Sequence, residues 1–257
     1  MMASKRSTST RRAESQAASV RAAAIRKEQD RKERRRRNLV VTGSAVVVLA
    51  LIVVIATLVQ SSRDTTGATG AAPSGVVGRY AVPAGSPSAP VKVTVYEDFI
   101  CPFCGQFEAA SRTTLQKDIE QGKVQFQYHV LSFLDRSSST RYSTRAANAL
   151  AVVLDKDGPA VAKQFHDLLF ENQPQENSAG LTNDRLVQLA VQAGANRSEV
   201  KKGIDGLAFQ QWVKNVTDQA SRSGVNATPT VRINGKTVNA TTTADLVTKV
   251  EQAIAAG

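Results

Sequence analysis

The sequence predicts an α/β domain with a helical insertion, joined through a flexible tether to one membrane-spanning helix. Three observations predict it. An uncharged run of 21 residues, 39–59, is followed by a stretch rich in Gly, Ala, Ser and Thr. Beyond residue 89 the apolar period is two, then helical, then two again, which is the β-α-β order. A long helical block, an Asn-Gly hairpin and a closing helix complete the chain.

Each element has a local reason. Residues 39–59 are rich in Val, Leu, Ile and Ala. At about 1.5 Å per residue they cover roughly 30 Å, the thickness of a bilayer's hydrocarbon core. The run is longer than the apolar part of a signal peptide. Residues 60–88 read as a coil whose r.m.s. span is roughly 30 Å, with a short edge strand near residues 78–82. Residues 91–96 alternate and read as a strand. A helix follows over 102–119, with Pro102 at an early position that tolerates a missing N–H. Val124, Phe126, Tyr128 and Val130 alternate with Gln125, Gln127 and His129 as a half-buried strand. The two strands are expected to pair in parallel through a right-handed crossover. Between about residues 140 and 222 four helices are expected, at 146–154, 161–170, 185–193 and 200–219, with breaks at Gly158-Pro159, Pro174 and Gly194. Strands 230–233 and 236–238 flank Asn234-Gly235, a type I′ signal. The last helix, 243–255, carries Leu246, Val247, Val250 and Ile254 on one face. The domains expected are thus a basic tail (1–38), a span (39–59), a linker (60–88) and a folded domain (89–257).

Charge sets the orientation. The chain holds 33 Lys and Arg against 22 Asp and Glu, and residues 1–38 take 13 and 4 of these. The folded part is therefore nearly neutral, and the basic excess belongs to the tail. Positive residues stay on the cytoplasmic side, so the tail is cytoplasmic and everything after residue 59 is exported. A near-neutral exported domain argues against nucleic acid as a partner.

The chain has two cysteines, both in Cys101-Pro102-Phe103-Cys104, where a strand runs into a helix. There the unpaired N–H groups and the positive end of the helix dipole favour a thiolate. A second Cys-x-x-Cys is lacking, and His129 and His166 have no ligand-like spacing to this one, so no metal is expected. A bridge closing so small a loop constrains the unfolded chain little, which argues against a purely structural disulfide. A reactive dithiol remains, on the side of the membrane where disulfides persist.

Three segments together resemble the DsbA-like branch of the thioredoxin superfamily. They are residues 93–104, ending in the dithiol; Val225-Asn226-Ala227-Thr228-Pro229-Thr230-Val231 with the Ile233-Asn234-Gly235-Lys236 turn; and the helical block of about 80 residues between them. The resemblance covers roughly residues 91–255 and implies a thioredoxin-like fold with a helical insertion. It implies a protein disulfide oxidoreductase that needs no cofactor. Cys101 is its exposed nucleophile and Cys104 the resolving partner. Pro229 corresponds to the cis-proline facing the dithiol, and the Thr228 backbone, Pro102 and Phe103 meet substrate. Phe103 stands where the best-known oxidases carry a histidine, so helix-terminus donors are expected to stabilise the thiolate, less strongly than in those oxidases. Glu97 lies on the same strand face as Val95, the position of a buried acid in some relatives, and is a candidate proton relay; Asp98 is the alternative, and a capping or solvated carboxylate the plainer role for both. His129, His166 and Trp212 are expected to be structural. The substrates implied are exported proteins with cysteines. With no third cysteine in the chain, a membrane redox partner, quinone-linked, would reoxidise the pair. The reverse direction, reductase or isomerase, and a non-catalytic substrate-holding module are the alternatives. The absence of an N-terminal dimerisation domain favours a monomer.

Overall fold

The structure, a computed structural model, describes residues 70–256 of the chain. The predicted span and basic tail lie outside the described residues; among those described, no helix is long and apolar enough to cross a membrane. Five strands form one sheet in the order β1-β3-β2-β4-β5: β1 (Val82–Ala84), β2 (Val91–Glu97), β3 (Val124–Val130), β4 (Thr230–Ile233) and β5 (Lys236–Thr237). β2 and β3 are parallel, with Val93 opposite Phe126 and Glu97 opposite Val130, and every other pairing is antiparallel. The crossover between them is α1 (Pro102–Glu120). This is the expected α/β thioredoxin-like fold with a helical insertion.

The edge strand and the loop before it extend the domain. Residues 70–88, assigned by composition to the tether, lie against it: the Ser74 amide donates to Asp155 Oδ1 at 2.9 Å and Trp212 Nε1 donates to the Arg79 carbonyl at 2.8 Å. Ala81, Val82 and Ala84 are buried. Gly and Ser content reports backbone freedom in the unfolded chain, and a few apolar residues placed on a core are enough to override it.

The insertion holds α2 (Tyr142–Glu171), α3 (Asn183–Gln192), α4 (Arg197–Asp205) and α5 (Gln210–Arg222), and α6 (Thr243–Ala255) closes the chain. α2 bends at Gly158 (φ 81°, ψ 178°), immediately before Pro159, at the expected break. The helix expected over 200–219 is instead two. Leu207 adopts a left-handed φ of 51° between α4 and α5, and buried Asn148 of α2 takes up the groups this break frees. Its Nδ2 donates to the Gly203 carbonyl at 3.3 Å, and its Oδ1 accepts the Phe209 amide at 2.7 Å. At the hairpin, Asn234 and Gly235 both have positive φ, as a type I′ turn requires. Asn234 also ties the turn to β2: its Oδ1 accepts the Lys92 amide at 2.9 Å and its own amide donates to the Lys92 carbonyl at 2.8 Å.

One sheet face decides the site. Val91, Val93, Val95 and Glu97 alternate to the same side, beside Val124, Phe126, Tyr128 and Val130 of β3. The half of α2 after Gly158 packs there: the His166 ring lies 4.2 Å from that of Tyr128, and Phe170 lies 5.0 Å from Phe99. Trp212 is buried in the core, as expected.

Candidate active site

The dithiol sits where the end of β2 turns into α1. Cys101 is the N-cap residue of α1, with φ −71° and ψ 116°, and Pro102 occupies the first turn. The contrast with other helices is informative. Thr182, Asn196 and Thr242 cap α3, α4 and α6 through side-chain oxygens that accept first-turn amides. Cys101 makes no side-chain cap bond of that kind. The donors at the head of α1 are thereby left for a sulfur.

Cys101 and Cys104 are both free thiols. The Cys101 thiol donates to the Thr228 carbonyl at 3.4 Å, and the Thr228-Pro229 peptide is cis. The expected cis-proline loop thus faces Cys101. Cys101 was expected to be exposed; it is only 3% exposed, because this loop covers it. Phe103, at 60% exposure, is the large apolar side chain that stands out from the surface here. It borders a shallow cleft of 230 Å³ lined by Thr228, Pro229, Val238 and Leu246.

The electrostatics separate the two sulfurs. Cys101 is held down at about 6. The hydrogen bond from the Cys104 thiol is the largest cause, burial opposes it, and the Thr228 side chain and the Cys104 and Phe103 amides add to it. Helix-head amides were expected to dominate, but the neighbouring thiol contributes more. Cys104 is fully buried and pushed well above the usual thiol value by burial first, then by the bond to Cys101 and the charges of Cys101 and Glu97.

Both acids before the dithiol are buried, not solvated. Asp98 serves the turn. Its Oδ1 accepts the Ile100 amide at 3.2 Å and its Oδ2 accepts the Leu134 amide at 2.9 Å. Burial raises it to about 7 against the pull of these bonds. Glu97 points to the α2 side, where its Oε1 meets Nε2 of His166 at 2.6 Å.

Sequence reasoning missed three residues. His166 was expected to be structural; it is fully buried, because the half of α2 after the bend at Gly158 packs onto the sheet. Its Nδ1 lies 3.2 Å from Asp167 Oδ1. Burial alone would depress its pKa, but Glu97, Asp167 and Glu108 outweigh that and raise it to about 10. Glu108 is buried one turn beyond Cys104 and is raised to about 7 by burial, against the opposing charge of His166. The Cys104–Glu108 spacing of four was the available signal, since it puts an acid on the same helix face as the inner cysteine. Gln173, from the loop after α2, donates through Nε2 to the Phe99 carbonyl at 3.2 Å and the Cys101 carbonyl at 2.9 Å. Gly105 admits it: a Cβ there would overlap the Gln173 amide oxygen. His129 lies on the opposite sheet face, 4.7 Å from the Tyr96 ring, away from the dithiol.

A parallel β-α-β unit, a dithiol at the helix head and a cis-proline opposite define a thioredoxin-type redox protein. A thioredoxin family profile matches residues 79–252, and the chain belongs to that family, within its DsbA-like thiol–disulfide oxidoreductases. The chain is 32% identical over 162 residues to the serine/threonine-protein kinase PknE of Mycobacterium tuberculosis, a match covering 60% of this chain and 29% of the kinase. It therefore spans less than a third of that relative. It is 30% identical over 156 residues to disulfide bond formation protein D of Bacillus subtilis, covering 60% of this chain and 68% of that protein. The crystal structure of reduced DsbA from M. tuberculosis superposes with a TM-score of 0.57 at 32% identity, over 68% of this chain and 96% of the other.

Proposed function

We propose that this protein is a membrane-tethered, extracytoplasmic oxidase that introduces disulfides into exported proteins. The observation that carries the reading is the split between its two sulfurs: Cys101 held at about 6, Cys104 buried and pushed up. A stabilised thiolate lowers the free energy of the reduced form, which makes the disulfide form an oxidant. A substrate thiolate attacks Cys101 Sγ, the Cys101–Cys104 bond opens, and a second substrate thiol releases the mixed disulfide. Thr228 and Pro229 line the approach, and Pro102 and exposed Phe103 offer an apolar surface to unfolded substrate. Glu97, buried beside the inner cysteine, relays the proton that Cys104 exchanges. A quinone-linked membrane protein reoxidises the pair. The uncharged run 39–59 and the basic tail support anchoring with the domain outside.

Redox titration of the full chain in detergent against glutathione tests the direction. The Cys101 value lies between those of thioredoxin, about 7, and DsbA, about 3.5. The potential is expected between theirs, about −270 and −120 mV. A value below thioredoxin's would make the protein a reductase. Cys101→Ala is expected to abolish oxidation of a dithiol peptide; unchanged activity would leave a non-catalytic, substrate-holding module.

A further inference from the structure

Beneath the dithiol lies a charged cluster of which the mechanism above uses Glu97 alone. One ligand-type atom from each of Glu97, Glu108 and His166 lies within 4.8 Å of the others, and all three residues are buried. Glu97 Oε2 and Glu108 Oε1 have no hydrogen-bond partner. Both nitrogens of the His166 ring face carboxylates, Glu97 at 2.6 Å and Asp167 at 3.2 Å. A ring between two carboxylates carries a proton on each nitrogen, and is an imidazolium. Aromatic rings of Tyr128, Phe99 and Phe170 enclose it. Charged groups nearby include Lys163, which holds Asp167 at 2.6 Å, and Arg112, one turn beyond Glu108 on α1 and paired with Glu171.

We propose that His166 stores the proton that Cys104 takes up when the disulfide opens, delivering it from Nε2 through Glu97. This rests on the dithiol reading above. The step balances as follows. Attack by a substrate thiolate forms the substrate–Cys101 S–S bond and breaks the Cys101–Cys104 bond, and Cys104 leaves as a thiolate with the electron pair. Glu97 takes the Nε2 proton of His166 and passes it to the Cys104 thiolate. The ring is left neutral, with Nδ1–H still donating to Asp167. Asp167 therefore fixes which nitrogen gives up its proton. It also lines a 510 Å³ cleft with Arg112, Lys163 and Gln116. That cleft begins about 12 Å along α1 from Cys104, two helical turns from the substrate face. Proton from water can thus recharge the cluster while substrate covers the dithiol. In reoxidation the Cys101 thiolate attacks the protein disulfide of the partner. Cys104 returns its proton to Glu97, the recharged cluster sheds one proton to water through the cleft, and the Cys104 thiolate then displaces the partner's sulfur from Cys101. His166 does not touch the sulfurs; it acts through Glu97.

The test uses the full chain in detergent, oxidised, mixed with a reduced dithiol peptide. His166→Gln keeps an amide donor near Glu97 but stores no proton. The peptide oxidation rate is expected to fall about 100-fold, the scale of general acid catalysis. The pH profile of Cys101 alkylation should stay unchanged. A folded His166→Gln within twofold of the wild-type rate overturns the proposal. Asp167→Asn, on the cleft wall, tests it without touching the core. The alkaline limb of its rate profile should move to lower pH, because the ring loses a counter-charge, and an unmoved limb counts against the store. One equivalent of a divalent metal that co-purifies with the chain and is lost in Glu108→Gln would also overturn it, in favour of a metal centre. Failure of the dithiol reading is distinct: Cys101→Ala would then remain active.

Discussion

Cys101 occupies a position where three other helices of this protein carry Thr or Asn, and that exchange creates the chemistry. The amides that an oxygen would satisfy are turned on a sulfur, and the neighbouring thiol adds the largest share. The pH dependence follows. Thiolate reactivity of the reduced protein should rise through about pH 6 and be level by neutral pH, as alkylation rates against pH will show. The sign for stability is the same. The folded value lies below the unfolded one, taken as 9.0, so ionisation of Cys101 stabilises the reduced fold fully above about pH 9. That gain is lost as pH falls through about 6. The stability difference between reduced wild type and Cys101→Ser should therefore widen with pH across this window in urea unfolding. Gln173 has no catalytic group, yet it satisfies two carbonyls of the active-site turn. Gln173→Ala removes the donor to the Phe99 carbonyl, while the Cys101 carbonyl keeps the Gly105 amide, and is expected to cost about 1–3 kcal/mol, measured by denaturant unfolding.

At the scale of elements, what was legible followed from periodicity and turn chemistry. β2, β3, α1, the Asn234-Gly235 hairpin and α6 all fall where apolar spacing put them, because each depends on neighbours close in sequence. The single helix expected over 200–219 failed at Leu207, whose left-handed backbone is sustained by Asn148 some 60 residues earlier. Periodicity cannot register a partner that distant. The bend in α2 was legible as Gly158-Pro159, but its consequence was not. Gly158 has a φ of 81° with ψ near 178°, a region open to glycine almost alone. Gly158→Ala should cost about 1–3 kcal/mol in urea unfolding. It should also slow dithiol oxidation, since the bend brings His166 under Glu97.

At the scale of the whole molecule, the domain is nearly neutral and the basic charge is gathered in the tail. Removal of residues 1–59 is expected to release the protein from the membrane fraction while leaving dithiol oxidation intact, as fractionation and the peptide assay will show. The sequence by itself determined the order of elements, the Cys101–Cys104 pair and its proline, and the charge asymmetry between tail and domain. These reside in contiguous residues, where spacing and polarity act directly. Only the tertiary structure decided that Cys101 is covered, that Glu97 and Glu108 are buried, and that His166 joins them. Burial and charge pairing depend on which distant surfaces meet, and a helix face that reads as polar along the chain becomes interior once a bend lays it on the sheet.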